Sequence, residues 1–113
     1  MYKLVILIEP LDNWQAFEAQ WPEFLHLVEA MPGLRRESTG RIERFLYGDR
    51  SYVQVHELFF DSLLDAERGL ASSQGQKAGR LLQRMTAGRM ALFLVDQKED
   101  ELENIRKYRR DDS

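Results

Sequence analysis

Val53-Gln54-Val55-His56-Glu57-Leu58-Phe59-Phe60-Asp61-Ser62 reads as a β-strand that runs straight into a helix start. By the period-two rule Val53, Val55, Glu57 and Phe59 share one face. Tyr52, Gln54, His56, Leu58 and Phe60 share the other. Each face carries apolar residues and one ionisable group, whereas a half-solvated strand would split cleanly. The pattern predicts a strand covered on both sides: by the chain's own helices on one, by something else on the other. Asp61 or Ser62 is the expected cap of the next helix, its oxygen accepting from the free N–H groups of the first turn.

Upstream, Leu4-Val5-Ile6-Leu7-Ile8 is continuous and β-branched, the pattern of a central strand. Pro10 ends it. Asp12, with Gln15 three residues on, is the expected cap of a helix. Its stripe is Trp14, Phe17, Trp21, Phe24, Leu25, Val28 and Met31. Pro22 lies opposite that stripe, where it removes one backbone bond and favours a kink. Pro32-Gly33 stops the helix. Residues Leu34 to Leu46 are read as one long twisted strand, bulged near Ser38-Thr39-Gly40. The turn Tyr47-Gly48-Asp49-Arg50-Ser51 would join it to the opening stretch as a hairpin.

Downstream, a short helix reaches about Leu70, with Leu63, Ala66 and Leu70 inward. Ala71 to Gln76 breaks it, and Ser73 with Gln76 has cap spacing. The following helix turns Ala78, Leu81, Leu82 and Met85 inward, with Gly79 as a close helix contact. Lys77, Arg80 and Arg84 fall on a neighbouring, solvated face. Gly88 ends it, and Met90 to Val95 is a last apolar strand.

The chain's 113 residues suit one domain, over 1–96, followed by a charged tail over 97–113. In the tail, acidic residues precede basic ones, an order that suits a helix dipole. Leu102, Ile105 and Tyr108 have the spacing to dock a last helical turn or two. With no cysteine, disulfides and thiolate metal sites are excluded, and a cytoplasmic location is expected. A net charge of −3 argues against nucleic acid as the main partner. The first apolar run is too short for a membrane helix. No metal site is expected from two histidines without Glu-x-x-His or His-x-His spacing.

The order strand, helix, strand, strand, helix pair, strand is the ferredoxin-like βαββαβ layout, an α+β fold with a four-stranded antiparallel sheet. Right-handed connections put the helices on one side of the sheet. Tyr52, Val5 or Ile6, Phe59 or Phe60, and Leu92 or Phe93 would then leave apolar area on the other. A patch of that size predicts a homodimer through sheet faces.

Pro32-Gly33-Leu34-Arg35-Arg36, Glu57-Leu58-Phe59-Phe60-Asp61-Ser62 and Ala71-Ser72-Ser73-Gln74-Gly75-Gln76 are, in order and spacing, similar to the EthD family of the dimeric α+β barrel superfamily. The resemblance spans roughly residues 2 to 96. It implies a ferredoxin-like protomer dimerising into a barrel with an internal pocket. The founding member is associated with ethyl tert-butyl ether degradation. Superfamily relatives include cofactor-free monooxygenases, lactone isomerases, haem-binding proteins and stress-response barrels. The first helix departs from the family pattern: His26 stands in a shifted register with no Pro after it.

Two residues are candidate catalytic groups. Glu57 matches the family's Glu-Leu-x-Phe segment, and in an apolar cavity its carboxylate can accept a proton. The competing reading pairs it structurally with Arg36, Arg44 or Arg89. His26, beside the apolar stripe, is the second; the competing reading packs it at a helix edge with one nitrogen wet. Trp21, Arg36, Tyr52, His56 and Phe59 are the expected pocket lining. Trp14, Phe17, Trp21 and Phe24 also read as core. The expected function is binding of a small hydrophobic or aromatic molecule without a cofactor, with cofactor-free oxygenase or isomerase chemistry as its enzymatic form. The alternatives are a non-catalytic assembly module, and haem binding through His26 or His56.

Overall fold

The computed structural model of the protein describes residues 1–103. Seven elements follow one another: β1 (Tyr2–Ile8), α1 (Trp14–Glu29), β2 (Leu34–Arg41), β3 (Gln54–Phe60), α2 (Leu63–Ala71), α3 (Ser73–Thr86) and β4 (Met90–Asp96). The strands form one antiparallel sheet in the order β2-β3-β1-β4, and the helices cover a single face. This is the ferredoxin-like α+β architecture. Of the tail residues expected to dock, Leu102 is exposed, and Ile105 and Tyr108 lie outside the described residues.

The core lies between sheet and helices. Leu4, Ile6 and Ile8 of β1 and His56, Leu58 and Phe60 of β3 meet Phe17, Phe24 and Val28 of α1 and Ala78, Leu81, Leu82 and Met85 of α3. The alternation of β3 thus holds across its length. His56, Leu58 and Phe60 look at the helices, and Val55, Glu57 and Phe59 look away.

Several local expectations shift. Asn13, one residue beyond Asp12, caps α1, accepting from the Ala16 N–H at 3.1 Å. Pro22 lies inside α1, exposed on its outer side, and the helix runs through it from Trp14 to Glu29. Of the two expected caps of α2, Ser62 serves, its hydroxyl accepting from the Asp65 N–H at 3.1 Å. Ser72 rather than Ser73 caps α3, its hydroxyl accepting from the Gly75 N–H at 3.0 Å. Leu63 stays largely exposed.

The close helix contact is at Gly75, not Gly79. A Cβ at Gly75 would stand 2.2 Å from the Gly69 carbonyl oxygen, whereas one at Gly79 would meet nothing within 4 Å. Only a residue without a Cβ lets α3 start this close to the end of α2.

The largest difference concerns β2. It stops at Arg41 instead of continuing to Leu46, and residues 42–53 form the connection to β3. The polar stretch Glu43-Arg44 has no apolar face to bury, and backbone pairing to the sheet ends with the Ile42 N–H to Val53 bond of 2.9 Å. The bulge falls at Arg35, not at Ser38-Thr39-Gly40: Leu34 pairs with Phe60, and Arg36 with Phe59. One extra residue there re-phases every side chain after it. Arg36 and Ser38 turn to the open face, and Glu37 and Thr39 to the helices.

Candidate functional site: the open sheet face

Val5 and Leu7 of β1, Val55 and Phe59 of β3, and Ala91, Phe93 and Val95 of β4 form the face that, among the described residues, no helix covers. Phe93 is 46% exposed. On the expected open face, the alternatives resolve to Val5, Phe59 and Phe93.

Three charged side chains stand among these apolar ones. Glu57 forms an ion pair with Lys3, its diagonal neighbour in the β1–β3 ladder, and both are largely shielded from water. The partner is thus Lys3 rather than Arg36, Arg44 or Arg89. Arg36 lays its guanidinium carbon 4.1 Å from the centroid of the Phe59 ring, and the Lys3 ammonium lies 5.8 Å from it. Phe59 is therefore only 4% exposed on a face without helices. The cations hold the ring by its negative face.

The opposite face holds a second polar cluster. His56 is fully buried, with its Nδ1 2.6 Å from the Thr39 hydroxyl and its Nε2 3.1 Å from Glu37. Its ring stands edge-on to Trp21 and Phe24, with centroids 5.1 and 6.1 Å away. Burial depresses the imidazole from the ordinary 6.5 to about 4, against the opposing pull of the Glu57 charge. Burial, then the charge of Glu29, raise the Glu37 carboxyl above its ordinary value. An ionised Glu37 only accepts, so the neutral ring donates from Nε2 and accepts the Thr39 hydroxyl proton at Nδ1. With both nitrogens satisfied, the ring staples β2 to β3 and closes the core.

Of the residues expected at one site, the sheet face brings together Glu57, Arg36 and Phe59. It separates from them Trp21 and His56, which lie on the helical side. His26 is exposed on α1, and Tyr52 is half-buried just before β3. Lys3, Glu37 and Thr39 were not anticipated. Alternation along β1 places Lys3 with Val5 and Leu7, a signal present in the sequence. Glu37 and Thr39 reach His56 only because of the bulge.

Among the described residues no group of three or more His, Cys, Asp or Glu side chains could hold a metal ion. No described helix is long and apolar enough to cross a membrane.

No protein-family model matches the chain. An uncharacterised 11.0 kDa protein from the thcB-thcC intergenic region of Rhodococcus erythropolis is 22% identical over 99 residues, which cover 87% of this chain and 96% of that protein. Among solved structures, an ethyl tert-butyl ether degradation (EthD) family protein of Bacillus halodurans superposes with a TM-score of 0.78 at 21% identity, covering 87% of this chain and 99% of that one. A dimeric ferredoxin-like protein of unknown function from Jannaschia gives 0.66 at 15% identity, over 85% and 98% of the two chains. SnoaB, a cofactor-independent oxygenase from Streptomyces nogalater, gives 0.62 at 16% identity, over 89% and 96%. The chain therefore has the ferredoxin-like fold of EthD-like proteins, and the likeness is one of architecture.

Proposed function

We propose that two copies of this protein pack their open sheet faces together and enclose a small apolar or aromatic molecule between them. The observation that carries this reading is the uncovered face itself, with Val5, Leu7, Val55 and Phe93 set around the Glu57–Lys3 pair. Each large apolar side chain left in water forgoes about 1.5–3 kcal/mol, and a second copy recovers it. The description of a structural neighbour as a dimeric ferredoxin-like protein supports the same assembly.

In such a cavity Glu57 is the group that accepts a proton from a carbon acid, and its pairing with Lys3 orients the carboxylate. That role fits oxygenase or isomerase chemistry without a cofactor, and a cofactor-independent oxygenase is among the structural neighbours. The second reading is a non-catalytic assembly module. It is favoured by the same ion pair, because Glu57 already has a partner on its own sheet. Haem ligation through His56 would require one of its ring nitrogens to give up its partner, Thr39 or Glu37, inside the closed core.

Native mass spectrometry of the purified protein tests the proposal. A dimer carrying extra small-molecule mass supports the enclosed cavity, and a clean dimer shifts weight to the assembly module. A monomer overturns the sheet-to-sheet packing.

A further inference from the structure

Arg36 is the one charged group on the open face whose side chain no ion pair or hydrogen bond ties down among the described residues. Its neighbour Arg35, pushed out by the bulge, takes Asp61 at 3.5 Å, and Lys3 takes Glu57. Within the four strands this face carries Lys3, Arg36 and Glu57 as its only charges, so one positive charge per protomer is left unmatched. The guanidinium lies over the Phe59 ring, its carbon 4.1 Å from the centroid, and its N–H donors have no hydrogen-bond partner among the described residues. Closing a second sheet over this face would bury that charge, which is costly without an anion.

On the proposed dimeric packing, we infer that the enclosed ligand is an apolar acid, whose carboxylate pairs with Arg36 while its hydrocarbon or aromatic body lies on Val5, Leu7 and Phe93. The guanidinium fork matches a carboxylate with two parallel N–H···O bonds, and Phe59 holds that fork in place before the ligand arrives. The ligand's negative charge is thus the specificity element, and the apolar strands supply most of the buried area.

The test compares 2-naphthoate with its neutral isostere 2-naphthamide by equilibrium dialysis against the full chain, with sedimentation velocity on the same sample. The acid is expected to bind at least tenfold more tightly than the amide. Arg36→Met should remove that preference while the protein stays a dimer, and Arg36→Lys should restore part of it. A dimer that binds the amide as well as the acid, or whose acid binding ignores Arg36→Met, overturns the anion recognition and leaves the enclosed cavity standing. A dimer that binds neither probe also overturns it. A monomer that binds neither overturns the cavity, and this inference with it.

Discussion

His56 and Glu57 are consecutive on β3 and serve opposite sides of the sheet: His56 is fully buried against Trp21 and Phe24, and Glu57 pairs with Lys3 on the open face. Their substitutions should therefore separate stability from binding. His56→Gln is expected to lower unfolding free energy by about 1–3 kcal/mol, because it disturbs a buried, doubly bonded ring. Glu57→Gln should cost no more than about 1 kcal/mol, since its pair keeps some contact with water. Urea denaturation of both variants checks this, and equal losses would contradict the two-sided arrangement.

Stability should fall with acid in a defined window. The imidazole titrates near 6.5 in the unfolded chain and at about 4 in the folded one, so the folded state holds it neutral. Its contribution is fully present above about pH 6.5 and is lost as pH falls toward 4, by about 3 kcal/mol in total. Glu37 works in the opposite sense: its raised pKa means that protonation favours the folded state as pH falls through the carboxylate range. The net loss should thus be greatest between pH 6.5 and 5. Denaturation midpoints across that range should slope in the native protein and flatten in His56→Gln.

The two glycines of α3 should respond in opposite ways to alanine. Gly75→Ala drives a Cβ into backbone of the Gly69 turn, which cannot move aside, and should destabilise by about 1–3 kcal/mol or more. Gly79→Ala meets open space in mid-helix and should stabilise by about 0.5–1 kcal/mol. Thermal melts of the pair give the comparison directly.

Phe93→Glu places a charge on the open face, on the edge strand β4, without touching the core. It should halve the mass found by sedimentation and leave the far-ultraviolet circular dichroism unchanged. A dimer that survives this change would have to be held together by another surface.

Much of the fold is legible before folding. Continuous apolar runs mark β1 and β4, a stripe at helical spacing marks α1, and alternation along β3 divides His56 from Glu57. These signals are local, because each depends on the period of one element. Ser62, and the approximate ends of α2 and α3, follow from the same local chemistry.

What only the tertiary structure decided depends on pairing between distant segments. Alternation sorts residues into two sets but does not say which set meets the helices; packing of α1 and α3 on β1 and β3 settles that. The bulge at Arg35 is a matter of register between β2 and β3. In a regular ladder Ser38, not Thr39, would face His56, and Arg36 would point at the core opposite Leu58. One unpaired residue instead brings Arg36 onto Phe59 and sets Glu37 and Thr39 around His56. The His56 cluster and the placing of Arg36 in the open-face one arise from that shift, and a strand's own side-chain pattern carries no record of its partner's phase.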